Sequence, residues 1–146
     1  MEVYTIGFTG RTARGFFDTL KEAGIERVID VRLHNRSQLA GFTKASDLPY
    51  FLRAIGGIDY VHELRLAPTP EMLHAYRNKR GPWSDYEHAF HALLKERRVE
   101  VAIERGLFAS PAVLLCSEPT AERCHRRIAA EYLQRHWGED VAVRHL

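Results

Sequence analysis

The chain has 146 residues with a formal net charge of +2, of which 45% are apolar and 27% charged. That suits one soluble globular core without disulfide staples, and the charge is too small to mark a nucleic-acid binder by itself. No apolar run nears the roughly 20 residues of a membrane helix. Residues 1–7 show no secretory signal, and two cysteines suit a reducing, cytoplasmic setting, so neither a membrane partner nor a disulfide framework is expected.

Residues 3–8 are apolar and β-rich, interrupted by Gly7 and Gly10. Thr12 caps a predicted helix that carries Phe16, Phe17 and Leu20 at helical spacing and stops near Gly24. Residues 27–31 read as a second buried strand. Strand, helix and strand within about 30 residues form a βαβ unit, so these strands are expected to be parallel. The stretch 32–43 is polar without a clean period: Arg32, His34, Asn35, Arg36, Ser37, Gln38. A loop beyond a strand's carboxyl end is where open α/β sheets keep ligands.

Ser46 with Pro49 opens a short helix closed by Gly56 and Gly57, and residues 58–62 suit a further short strand. Thr69-Pro70 starts another helix, with proline at its first position. Ser84-Asp85-Tyr86-Glu87 reads as a capping box for a helix bearing Tyr86 and Phe90. Residues 99–107 fit helix or strand; the spacing of Val99, Ala102 and Ile103 favours a helix ending at Gly106. Residues 112–116 are the third main strand. Pro119 begins a long helix with Ile128, Ala129, Tyr132 and Leu133 on its core side, Gly138 stops it, and residues 141–143 close the sheet. The expected fold is α/β: a single compact Rossmann-like domain over 1–146, a mostly parallel sheet flanked by helices.

The chemistry concentrates in the segment Cys116-Ser117-Glu118 to Cys124-His125-Arg126, which holds both cysteines. Cys116, at a strand's carboxyl end and near arginines, is a candidate nucleophile; a small buried residue ending a hydrophobic strand is the bland alternative. Arg123, Arg126 and Arg127 lie near the predicted helix start against the dipole, which suits a bound anion, or else Glu122 simply pairs with Arg126. A cysteine phosphatase loop is absent, because the position six after Cys116 is Glu122. Cys124 is assigned to the buried helix face. A metal or redox centre would use Cys116, Cys124 and His125, with His62 or His145 as a fourth metal ligand. Asp30, inside an apolar strand, needs a partner such as Arg32 or Arg126, and is equally an ion pair or a catalytic acid or base. Gly7 and Thr9 form a short turn able to lend N–H groups to an anion. It is no P-loop. Arg77, Lys79 and Arg80, like Lys95, Arg97 and Arg98, read as solvated helix faces.

Together, Thr5-Ile6-Gly7-Phe8-Thr9, Asp30-Val31-Arg32 and Leu114-Leu115-Cys116-x-Glu118-x5-Cys124-His125-Arg126 resemble the blocks of domain-of-unknown-function family 488, in that family's order. The segments 36–42 and 57–60, with His62, are also similar. Where the family usually carries Leu-Gly after this histidine, Leu64-Arg65-Leu66-Ala67 stands instead. The resemblance implies a compact α/β fold and a site built from Gly7, Thr9, Asp30, Arg32, Cys116, Glu118, Cys124, His125 and Arg126, with no established activity.

The leading expectation is a cytoplasmic α/β enzyme acting on a phosphorylated ligand, a nucleotide or nucleic-acid end. Arg32, Arg36 and Arg126 would hold the anion. Asp30, Glu118 or His125 would move a proton, and Cys116 would attack. The alternatives are a non-catalytic nucleic-acid-binding module, with Trp83, Tyr86 and Phe42 as stacking surfaces, and a zinc or redox protein centred on the two cysteines. No cofactor is specified.

Overall fold

The computed structural model describes residues 1–36 and 40–146, so Ser37, Gln38 and Leu39 of the polar loop lie outside the described residues. In chain order the main elements are β1 (Glu2–Gly7), α1 (Ala13–Glu22), β2 (Arg27–Asp30), α2 (Leu48–Gly56), β3 (Asp59–His62), α3 (Pro70–Leu73), α4 (Trp83–Arg97), α5 (Val99–Ala102), β4 (Ala112–Cys116), α6 (His125–Trp137) and β5 (Ala142–His145). All five strands pair in parallel, in the order β3-β2-β4-β1-β5, a Rossmann-like arrangement. The expected parallel relation of β1 and β2 holds, but they are not neighbours: β4 lies between them.

Parallel pairing puts every strand's carboxyl end on one edge. In register, Gly7 faces Cys116 and Asp30 faces both Leu115 and His62. β4 is buried along its whole length, and its alternating side chains divide the core in two. Ala112, Leu114 and Cys116 pack with Phe90, Leu94, Ile128, Tyr132 and Leu133 on the α4–α6 side. Val113 and Leu115 pack with Phe16, Phe17, Leu20, Leu48 and Leu52 on the α1–α2 side. Each fully buried leucine in these layers contributes about 1.5–3 kcal/mol. The same parity that buries Leu114 turns the Cys116 sulfur toward α6.

Local signals explain most boundaries. Thr12 accepts from the Gly15 amide at 3.0 Å and caps α1. Thr69 does the same for Met72 at the start of α3, with Pro70 at the first position. Gly57, at φ 63°, takes the left-handed turn that ends α2. Three expectations are corrected. The capping box at Ser84 does not form: α4 starts at Trp83 behind Pro82, and Glu87 instead accepts from Trp83 Nε1 and Arg127. α5 is one turn, not a helix to Gly106, because Ile103 turns extended. The long helix begins at His125, not Pro119; residues 117–124 form turns. Among the described residues no helix is long and apolar enough to cross a membrane.

Candidate functional site

Residues 117–124 fail to be helical because their backbone is held elsewhere. The Thr9 amide donates to the Ser117 carbonyl at 3.1 Å. Arg126 Nη1 donates to the Glu118 carbonyl at 2.7 Å. That carbonyl sits against Gly7 so closely that a Cβ there would lie 1.6 Å from it. The absence of a side chain at Gly7 therefore admits the protein's own loop.

This loop returns Cys124 and His125 to the end of β4. Cys124 is the cap residue of α6 and His125 its first residue, both buried. Cys116 Sγ lies 3.6 Å from His125 Nδ1. His125 Nε2 lies 2.7 Å from the Val31 carbonyl. A carbonyl only accepts, so Nε2 carries a hydrogen and Nδ1 faces the sulfur. Phe90 packs on the ring at 5.3 Å. A thiol, an imidazole and a carbonyl that orients the imidazole thus stand in line.

The electrostatics favour a thiolate. The Cys124 thiol, donating to the Cys116 sulfur, is the largest influence, and with His125 it holds Cys116 well below the usual thiol value despite burial. Cys124 is pushed up by that same hydrogen bond and by burial, and keeps its proton. Burial opposes a charged His125, yet the Cys116 charge and the Val31 carbonyl bring it above its ordinary value. The thiol pair thus gives up one proton easily and the second with difficulty.

A cavity of about 80 Å³ opens on this pair, lined by Arg32, Leu33, His34, Pro68, Leu73, Arg77, Cys116, Ser117 and His125. Among the described residues its lining includes two arginines and two histidines but no carboxylate. A smaller space of about 20 Å³ also touches Cys116, together with Cys124, Glu118 and Arg77. Arg77 lies between the two, its Nη2 3.8 Å from Glu118 Oε1. Sequence reasoning had grouped Arg77 with solvated charges. It belongs to a five-residue π turn, His74–Asn78, a local irregularity frequent at functional sites but not readable from composition.

Family identity rests on a sequence comparison. The family model "Domain of unknown function DUF488" matches residues 12–133. This chain belongs to DUF488. The matched span of the DUF488 protein includes Asp30, Arg32, Cys116, Cys124 and His125, whereas Gly7 and Thr9 precede it. No curated protein and no solved structure matches the chain.

The remaining candidates of the DUF488 protein separate into distinct environments. Asp30 is fully buried and accepts from the Arg32 amide, Arg32 Nε and Nη2, Asn35 Nδ2 and the Tyr60 hydroxyl. It is thus an ion-pair partner, and it does not line the cavity. Burial, followed by the Asp30 charge, raises Tyr60 and keeps it protonated. Arg32 also donates to the Thr43 carbonyl, while its Nη1 has no hydrogen-bond partner among the described residues. Arg126 is 1% exposed, holds the loop through Glu118, and does not line the cavity. Arg36 is exposed on its loop. Thr9 has its amide engaged by Ser117.

The proposed fourth metal ligands are occupied differently: His62 bonds the Arg32 carbonyl and His145 the Thr5 hydroxyl. Cys116, Cys124 and His125 do cluster, their donor atoms all within 4.8 Å of one another. Tyr86 is 6% exposed and stacked against Trp83, which removes it as a platform for bases.

Proposed function

We propose that this DUF488 protein is an enzyme acting on a phosphorylated ligand, with Cys116 as nucleophile and His125 as the proton carrier. The observation that carries the reading is the Cys116–His125 pair, at 3.6 Å, facing a small cavity lined by arginine and histidine. The thiolate attacks phosphorus, a sulfur–phosphorus bond forms, and the ester oxygen leaves with a proton from His125. Water then hydrolyses the phosphocysteine with His125 as base. Arg77 and the unpartnered Nη1 of Arg32 provide charge for the phosphoryl oxygens. A cavity of about 80 Å³ takes one such group and leaves the rest of a nucleotide outside.

The test pairs binding of inorganic phosphate with turnover of p-nitrophenyl phosphate and nucleoside monophosphates. Cys116→Ser is expected to lower turnover by roughly 10³-fold or more, and Arg77→Ala to weaken phosphate binding. Turnover unchanged in Cys116→Ser, or no phosphate binding at low salt, rejects the reading.

A second expectation concerns reactivity. Iodoacetamide labelling of Cys116 should stay fast well to the acid side of the ordinary thiol value, ~8.5, because the reactive thiolate persists until pH falls through the lowered value. Cys124→Ala and His125→Ala each remove a cause and move the profile upward. An unshifted profile in both variants would show that neither neighbour activates the sulfur.

The cluster of three donor atoms within 4.8 Å also favours a zinc reading. Elemental analysis of protein purified without chelator separates the two. Near one zinc per chain, lost on removing either cysteine, would put the metal first.

A further inference from the structure

Two thiols and an imidazole in mutual contact, reached through a cavity too small for a macromolecule, raise the question of what Cys124 does. The phosphoryl-transfer scheme gives it no covalent part. Its sulfur lies within 4.8 Å of Cys116 Sγ and His125, and it makes no capping bond to α6. Rotating it toward Cys116 therefore breaks no helix cap. The intervening residues 117–123 belong to neither helix nor strand, and the bonds that hold this segment fall on Ser117 and Glu118 rather than beside Cys124.

We propose that Cys116 and Cys124 form a hydroperoxide-reactive pair, in which Cys116 is the oxidised residue and Cys124 the one that resolves it as a reversible disulfide. This rests on Cys116 being the nucleophilic sulfur of the proposed enzyme and adds regulation of that same site. In the first step the Cys116 sulfur attacks the terminal oxygen of a hydroperoxide. The oxygen–oxygen bond breaks, the alcohol or water leaves with a proton from His125, and Cys116 becomes a sulfenic acid. In the second step Cys124 attacks the Cys116 sulfur and the sulfur–oxygen bond breaks. Hydroxide leaves as water with the Cys124 proton, and the disulfide forms. Two thiols are oxidised by two electrons and one peroxide is reduced. Both sulfurs are 2% exposed, and Cys116 is reached through the cavity, which a peroxide group, smaller than a phosphoryl group, also enters. While the disulfide stands Cys116 is no nucleophile, and a dithiol reductant restores it.

The chain is well arranged for the test, because Arg123 places a tryptic cleavage between the two cysteines. Reduced, full-length protein is treated with hydrogen peroxide, quenched by alkylation, digested with trypsin and analysed by mass spectrometry. The expected result is a cross-link between the peptides carrying Cys116 and Cys124. Dithiothreitol should reverse it. Cys124→Ser should lose the cross-link and gain two or more oxygens on Cys116 that dithiothreitol does not remove. Wild-type protein that accumulates over-oxidised Cys116 without a cross-link, or that leaves both thiols alkylatable, overturns the proposal. The wild-type result decides even if Cys124→Ser folds poorly. Phosphate binding and ester turnover are measured on the reduced protein. A cross-link without phosphate chemistry would remove the ligand reading and leave the thiol pair standing, and turnover without a cross-link would do the reverse.

Discussion

Asp30→Ala is expected to cost about 3–5 kcal/mol of folding stability, the range for removing one partner of a buried ion pair. The Asp30 carboxylate is wholly buried and takes five hydrogen bonds from Arg32, Asn35 and Tyr60. Without it the Arg32 guanidinium, 3% exposed, keeps among the described residues the Thr43 carbonyl and the face of the Phe8 ring. The Tyr60 hydroxyl and the Asn35 amide lose an acceptor as well. Urea unfolding reads this as a lower midpoint at unchanged slope. Since most of the cost is the stranded charge, Asp30→Leu combined with Arg32→Met should recover much of it. A loss under about 1 kcal/mol, the scale of an exposed pair, would mean that the network is open to water. Asp30 would then return as a candidate acid or base.

Arg32 links this network to the site: Asp30 grips one edge of the guanidinium, and the residue also lines the cavity. The network therefore positions Arg32 and Asn35, beyond the end of β2, as well as stabilising them. Its partners show how far the sequence was legible. A charged residue inside an apolar strand announces a buried pair, and Arg32 two positions on was a natural guess. Tyr60 and Asn35 gave no such sign, because the contact with Tyr60 depends on β3 pairing beside β2. The sheet order was hidden for the same reason. Strand periodicity reports which face is buried but not which strand lies alongside, so the insertion of β4 between β1 and β2 has no local signature.

Residue type and position singled out the cysteine block, whose thiols and histidine do cluster, but its local geometry was misread. Pro119 followed by Ala121 and Glu122 has the composition of a helix start. Tertiary contacts override it, since Arg126 donates to the Glu118 carbonyl, which packs against Gly7, and the segment is held as turns. Cys124 consequently sits at the helix entrance, where it meets Cys116, and Arg126 turns into the protein. In the structure Ala112, Leu114 and Cys116 share one face of β4 with the core side of α6, a relation that needs the sheet order as well as the strand pattern.

Gly7→Ala tests that construction most severely, with an expected loss of about 3 kcal/mol or more, at or beyond the usual range for overpacking. The added Cβ would stand 1.6 Å from the Glu118 carbonyl oxygen, 2.7 Å from its carbon and 3.0 Å from Arg126 Nη1. Two of these are backbone atoms, so no change of rotamer relieves the overlap. Either the end of β1 shifts against β4 and β5, or residues 117–124 move outward and carry Cys124 and His125 away from Cys116. The second route predicts a functional signature as well: in whatever fraction remains folded, Cys116 labelling should return toward the pH profile of an ordinary thiol. Gly10→Ala is the control. Gly10 has φ +82° and nothing within 4 Å of an added Cβ, so it should show only the backbone penalty of a left-handed residue, about 1–2 kcal/mol. Equal losses in the two variants would show that Gly7 merely supplies flexibility. A much larger loss at Gly7, with the labelling shift, would show that the missing side chain lets the loop close and assembles the thiolate.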